Sequence, residues 1–323
     1  MVSKKTILKS VLAILLIGVC FLAARDTYVG LILAFIAIYA IATTGLDILF
    51  GYSGQISFGH AAFFAIGAYT SAILSTRLGV TPLVTILAGT VLATIFGFLL
   101  AFPASKLVKH FLSLLTIAFG QMVYMFVNST TSLTGGAGGI AEIPKINLFG
   151  LKLTTNASVF LFSAVILAVI LLGKKQLIQS RTGRALIAIK ENVHAAQGLG
   201  INVRNYKILA FAVSAFLTGL SGGMYAHLVG FISPETFNAT QSTLFMTMLL
   251  FGGISTSAGP VVGAGVLIVI KEVFKAFSKY QILIYGIFIL IVLFFFPNGV
   301  AGLFGSIKKK ILKARGKNHA SVG

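Results

Sequence analysis

The sequence predicts an all-α polytopic membrane protein with about ten transmembrane helices, some of them broken or re-entrant. Three observations lead there. Hydrophobic residues make up 57% of the 323 positions and charged residues only 10%, with a mean hydropathy of +1.01. A soluble domain carries about 25% charged residues, so this surface needs lipid as its solvent. Apolar runs near the roughly 20 residues that cross a bilayer recur along the whole chain. The 25 Lys and Arg, against 6 Asp and Glu, are gathered into a few polar segments, as in loops that stay on the cytoplasmic side of a membrane. In a soluble chain the balance of +19 would point to nucleic acid. Here it reads as topogenic charge, and no nucleic-acid partner is expected.

Taken in order, the apolar runs fall at 7–24, 28–50, 60–76, 80–102, 109–127, 157–173, 208–230, 241–256, 258–276 and 282–296. Lys4, Lys5 and Lys9 ahead of the first run resemble the start of a signal peptide. The next run follows almost at once, and Val19 before Cys20 is large for a lipoprotein cleavage site, so an uncleaved first span is expected. Cys20 is the only cysteine, which excludes a disulfide framework and a cysteine zinc site.

With the amino terminus inside, ten crossings return the carboxyl terminus inside. The inner segments then hold Lys106, Lys109, the basic residues of 174–207, and the tail residues Lys308, Lys309, Lys310, Lys313, Arg315 and Lys317. Both termini are expected to be cytoplasmic. Lys271, Lys275 and Lys279 run against this rule. Their spacing puts them on one helix face near a helix end, where long stems can snorkel to the headgroups. The expected organisation is a membrane-spanning domain over 1–306, with a cytoplasmic loop at 174–207 and an external loop at 128–156, followed by a basic tail over 307–323.

The third and eighth runs are short and glycine-flanked. Residues 50–62 read FGYSGQISFGHAA and residues 251–263 read FGGISTSAGPVVG. Glycine at this density, with Pro260, argues for broken backbone, which membranes tolerate only beside protein or a water-filled cavity. Gln55, Ser57, Phe58, Gly59, His60, Gly252, Gly253 and Ser255 are therefore candidates for lining a passage, as discontinuous helices do in transporters. In the external loop, the alternation at Leu151, Lys152 and Leu153 after Leu148 predicts a small β-hairpin turning at Gly150.

The longest polar interruption is RTGRALIAIKENVHAAQGLGINVRNY, residues 181–206. A helix is expected over Ala185–Gln197, broken by Gly198 and Gly200. On it Ala188, Ile189, Ala195 and Ala196 would form a small close-approach surface, with Gly183, Arg184, Lys190, Glu191 and Asn192 supplying a turn, charge and hydrogen bonds. Such a helix fits a groove on another subunit. The alternative is a solvated connector.

Other polar residues admit two readings each. His60 is either a hydrogen-bonded structural histidine, the reading favoured here, or a group for substrate or protons. Asp47 is an intramembrane carboxylate and so a functional candidate, or it pairs locally at the end of its span. His227 and Glu235 either meet a delivering protein or are plain surface, with surface favoured. Gly219, Gly222 and Gly223, and Gly259 with Gly263, have the spacing that lets helices approach closely.

These motifs carry a family resemblance. The pattern S-x-x-G-R-A-L-x-A-I-x-E-N, then A-A-x-x-x-G-I-N-V and Y-K-x-x-A-F, spans Ser180 to Phe211. G-Y-x-G-Q-x-S-F-G-H-A spans Gly51 to Ala61, T-G-G-x-x-G spans Thr134 to Gly139, and F-P-x-G-x-x-G spans Phe296 to Gly302. The chain thereby resembles LivM-type permeases of branched-chain amino acid ABC importers, over most of residues 30–305 and in the expected order.

The resemblance implies the LivM/ribose-permease type of fold and a bacterial inner-membrane location. It further implies a coupling helix near Ala185–Gln197 docked on one of two cytoplasmic ATP-binding subunits, a LivH-type second permease, and an extracytoplasmic substrate-binding protein. No cofactor is expected on this chain, and ATP with Mg is expected on the partner subunits. No G-x-x-x-x-G-K-[ST] phosphate loop occurs in the sequence. Relatives of the same fold carry urea, amides, sugars or nucleosides, and these remain alternative substrates. An ion-coupled secondary transporter would need several carboxylates or histidines within its spans, and this chain has six acidic residues, nearly all peripheral. A membrane enzyme is disfavoured because the five histidines are scattered without ligand spacing.

Overall fold

The structure is a computed structural model describing residues 26–107, 109–148, 151–274 and Gly286. The first and tenth expected runs, the basic tail, Lys275 and Lys279 lie outside the described residues. The chain within them is helical almost throughout. Helix α1 (Thr27–Leu46) starts where the Asp26 carboxylate accepts from the backbone N–H groups of Tyr28 and Val29, and it runs on into a π-helical turn, Asp47–Tyr52. Helices α2 (His60–Arg77), α3 (Pro82–Ala104) and α4 (Lys109–Ser129) follow. Proline opens α3 in the first turn, where its missing N–H costs nothing.

The external segment then carries a single helical turn, α5 (Thr131–Thr134), and two short strands, β1 (Asn147–Leu148) and β2 (Leu151–Lys152). The strands pair antiparallel, Asn147 opposite Lys152 and Leu148 opposite Leu151. The expected hairpin is present; its turn at 149–150 lies outside the described residues. Beyond it come α6 (Asn156–Gln179), α7 (Arg181–Glu191), α8 (Val193–Gly198), α9 (Val203–Val229), α10 (Ala239–Gly252) and α11 (Gly259–Val273).

Five helical segments among the described residues are long and apolar enough to cross a membrane: Thr27–Tyr52, Pro82–Ala104, His110–Ser129, Asn156–Gln179 and Val203–Val229. That is a polytopic arrangement: eight of the ten expected runs fall wholly or mostly among the described residues, and five of these form full-length spans. The difference has a physical source. Helix α2 is enclosed by α3, α9 and α4 rather than by lipid, so it can keep Ser71, Ser75 and Tyr69 buried and need not be uniformly apolar. The eighth and ninth runs form α10 and α11, of 14 and 15 residues. At the α-helical rise these reach about 21 and 22 Å, short of the roughly 30 Å hydrocarbon core. The two lie against each other where a Cβ on Gly263 would sit 1.7 Å from the Met248 carbonyl oxygen.

Helix α9 is the centre of the bundle, packed on α1, α2 and α3. Its glycines act as the spacing predicts. A Cβ on Gly67 of α2 would lie 2.0 Å from the Gly219 carbonyl oxygen, and one on Gly219 would lie 2.4 Å from Ala93 Cβ on α3. Gly67→Val is accordingly expected to force α2 and α9 apart. An overpacking cost of about 3 kcal/mol should appear as a lower midpoint of thermal unfolding in detergent. An unchanged midpoint would show that the crossing tolerates a side chain. An aromatic cluster of Tyr39, Phe64, Tyr225, Phe237 and Phe245 fills the space between α1, α2, α9 and α10. By contrast, Val91, Phe98 and Leu99 of α3 and Leu114, Met122 and Met125 of α4 are exposed, as a face solvated by lipid requires.

The connections sort onto two ends of the bundle. At one end Asn156 donates to the Thr27 carbonyl, the Tyr28 hydroxyl donates to Glu272, and Ile140 pairs with Ile232. At the other, Asp47 meets Lys174 and Gln55 donates to the Lys207 carbonyl. Among the described residues this second end carries Lys106, Lys109, Lys174, Lys175, Arg181, Arg184, Lys190, Arg204 and Lys207, with Asp47 and Glu191 as its acids. The first carries Arg77, Lys145, Lys152 and Lys271 with four acids.

Candidate functional site

The basic end of the bundle holds a connected set of polar groups where the sequence placed its two glycine-rich stretches. The π-helical turn brings Asp47 to the end of α1 fully buried, and Lys174 reaches it from inside α6. Lys174 Nζ lies 2.6 Å from Asp47 Oδ2, with 3% and 0% of the two side chains exposed. Burial of this kind is tolerable only when both charges are paired and their remaining valences filled. Here they are: Lys174 also donates to the Thr256 carbonyl at 2.9 Å, and Asp47 Oδ1 accepts from Ser255 N–H at 2.8 Å. Gly51 must be glycine, because a Cβ there would come within 2.1 Å of Asp47 Oδ1.

The two glycine-rich stretches are thus in contact. The Ser255 hydroxyl donates to the Gly51 carbonyl at 2.7 Å, and the Tyr52 hydroxyl donates to the Ser255 carbonyl at 3.0 Å. Asp47 is paired at the end of its span, but with a partner 127 residues away in sequence and not with a local one. Lys174 itself sits inside α6, which continues to Gln179 before the polar segment begins.

That segment is two helices and not the single one expected over Ala185–Gln197. It starts early because Ser180 caps α7, its hydroxyl accepting from Gly183 N–H, and it breaks at Asn192, whose side chain caps α8 by accepting from His194 and Ala195 N–H. Asx side chains favour such caps over helix interiors. The expected close-approach surface is divided. Gly183, Ile189 and Ala196 are buried against this chain's own helices, Ile189 and Ala196 in a small cluster with Val203, and Ala188 is half-buried beside them. The cause is the apolar stripe of an amphipathic helix turning toward its own bundle. Arg184, Glu191, Asn192, Ala195, Gly198 and Gly200 are outward-facing, together with Leu199 at 80% exposed. Lys190 bends back, donating to the Gly51 carbonyl at 2.6 Å and to Ser255 Oγ at 3.3 Å.

The passage candidates separate into four groups. Phe58 lines a cavity of about 270 Å³ with Gln121, Asn238, Ser242 and Thr243, between α4 and the start of α10. Gln55 lines another, of about 490 Å³, with Lys106, Arg204 and Lys207 under the polar segment. Ser57, Gly59, His60, Gly252 and Gly253 are buried in helix packing, and Ser255 belongs to the Asp47 cluster. His60 is 1% exposed with Nε2 2.7 Å from Ser214 Oγ and its ring edge-on to Phe63. His60 is thus buried and hydrogen-bonded through Nε2, while its buried Nδ1 has no described partner. His227 is not surface: it is buried, with Nδ1 2.6 Å from the Pro144 carbonyl and Nε2 2.8 Å from Ser71 Oγ. A carbonyl can only accept, so Nδ1 carries the proton and the ring ties the external segment to α2. Glu235 is exposed and accepts from the Tyr124 hydroxyl. Among the described residues no three His, Cys, Asp or Glu side chains gather as a metal site would need.

Residues 28–297 match the family described as branched-chain amino acid transport system, permease component. The chain belongs to that family. It is 31% identical over 286 residues to the high-affinity branched-chain amino acid transport system permease protein LivM of Escherichia coli strain K12, covering 81% of this chain and 67% of that one. It is 26% identical over 281 residues to the LivH permease protein of the same organism, with 82% and 91% covered. To the probable LivM permease protein of Methanocaldococcus jannaschii it is 22% identical over 344 residues, with 90% and 99% covered. No solved structure matches. These relatives are transport permeases and not enzymes.

Within the permease, sequence reasoning missed Lys174 and Tyr52. Lys174 follows directly on the apolar run 157–173 and reads as loop charge in the sequence, yet the helix continues to Gln179 and carries it inside the bundle to Asp47.

Proposed function

We propose that this permease is a membrane-spanning subunit of an ATP-driven ABC importer that moves branched-chain amino acids across the bacterial inner membrane. The observation that carries this reading is the family match over residues 28–297, joined to a polar two-helix segment that presents an outward face at the basic end of the bundle. That end faces the cytoplasm, because among the described residues Lys and Arg accumulate there in excess of acids and not at the opposite end. Both termini lie on that side, and the full chain makes about ten crossings, the shortest of them α10 and α11 on either side of the broken backbone near Ser255. Of two ATP-binding subunits, which hold ATP and Mg, one docks on the outward face of residues 181–200, a LivH-type permease pairs with this chain in the membrane, and an extracytoplasmic binding protein delivers substrate.

Substrate passes at the junction with the second permease, along the cavity of Phe58, Gln121, Asn238 and Thr243. The other passage candidates shape that route from behind. Apolar walls with a few amide and hydroxyl groups suit an aliphatic amino acid in transit, and selection among solutes rests with the binding protein. The test is purification of the tagged chain in mild detergent with mass spectrometry of whatever accompanies it. Two ATPase chains and a second permease in near-equal amounts are expected; recovery of this chain alone, competent for transport, would refute the assignment.

A further inference from the structure

We propose that Lys190 and the Gly51–Ser255 junction form the link through which movement of the ATPase-docking segment reaches the α10–α11 turn, making Lys190 a positioning residue for transport. The inference rests on the docking role proposed above and adds the route by which docking acts. Four parts of the chain meet at this point: the π-helical turn of α1, the carboxyl-terminal half of α6, the end of α7, and the turn between α10 and α11.

The chemistry makes the Gly51 carbonyl the junction. It lies in the last turn of α1, where carbonyls lack a following helical N–H. Its oxygen is left to accept from Lys190 Nζ at 2.6 Å and from Ser255 Oγ at 2.7 Å. All three polar groups of Ser255 are spent on the end of α1: its N–H on Asp47, its hydroxyl on Gly51 and its carbonyl on Tyr52. Ser255 holds φ at +58°, a left-handed conformation that non-glycine residues adopt only where surrounding contacts impose it. The shape of the α10–α11 turn is therefore set by bonds to α1, and one of the two donors on their common acceptor comes from the docking segment. The Asp47–Lys174 pair braces the far side, since Lys174 also holds the Thr256 carbonyl. A displacement of α7 that withdraws the ammonium changes what holds the turn, while the remainder of α7 stays seated by Leu186 and Ile189.

The test uses the reconstituted assembly with its ATPase chains and leucine-loaded binding protein, and reads leucine moved per ATP hydrolysed. Lys190→Met keeps the aliphatic stem and removes the donor; Tyr52→Phe removes the hydroxyl bond to Ser255. The ratio should fall at least about tenfold in Lys190→Met and measurably in Tyr52→Phe, and Lys190→Arg, which retains a donor, should recover most of it. A purely structural role would lower uptake and hydrolysis together and leave the ratio unmoved. A wild-type ratio in Lys190→Met would overturn the link while leaving the importer assignment intact. Failure of the wild-type assembly to couple uptake to ATP would overturn the assignment itself and the link with it.

Discussion

Lys174→Ala is expected to destabilise the permease by about 3–5 kcal/mol, the cost of stranding one buried charge without its partner. Asp47 is wholly buried and would keep only the Ser255 N–H as a described donor. Replacing both partners with neutral groups of similar shape, as in Asp47→Asn with Lys174→Met, should recover much of the loss, because no unpaired charge remains. The measurement is thermal unfolding of the purified chain in detergent, with the two single variants and the double variant completing a cycle. Additive losses in the double variant would show that the two groups do not act as a pair. The same cycle separates stability from function: the double variant folds, yet Thr256 loses the ammonium that holds its carbonyl.

Gly198→Glu is expected to abolish coupled uptake while leaving insertion and folding intact. Nothing lies within 4 Å of a Cβ built at Gly198, and its φ is not left-handed, so the side chain enters open space. Beside it stands Leu199, 80% exposed, the one large apolar side chain on the outward face of the segment. A charged group set against such an anchor acts on a contact surface and not on the core. Loss of a contact of hot-spot size, 2 kcal/mol or more, corresponds to about thirtyfold in affinity for the ATPase chain. Ala188→Glu is a less clean probe, because Ala188 is half-buried against the chain's own cluster and folding would suffer as well. Recovery of Gly198→Glu with a full complement of ATPase chains and normal uptake would remove this face from the docking surface.

Much of the fold was legible because lipid imposes a coarse rule: long apolar runs become helices, and α1, α3, α4, α6 and α9 follow runs visible in the sequence. The spacing of Gly219, Gly222 and Gly223 and of Gly259 with Gly263 predicted close helix approaches without naming the partners, which are α2 and α3 for α9 and α10 for α11. Capping was less visible. Ser180 and Asn192 each reset a helix boundary through one side-chain bond, which hydrophobic periodicity does not register. Least visible were long-range polar pairs. Asp47 with Lys174, and His227 with Pro144 and Ser71, join residues from separate helices. Nothing local distinguishes a paired buried lysine from a loop lysine, or a buried histidine from one at the surface.

On the function proposed here, this chain moves amino acids only as part of an ATP-driven assembly. Proteoliposomes containing the chain with its second permease, both ATPase chains and a loaded binding protein measure this directly, as uptake of radiolabelled leucine with and without ATP. Uptake that requires ATP and vanishes when the ATPase chains are omitted is the predicted result. Leucine uptake by this chain alone, driven by a proton or sodium gradient, would contradict it.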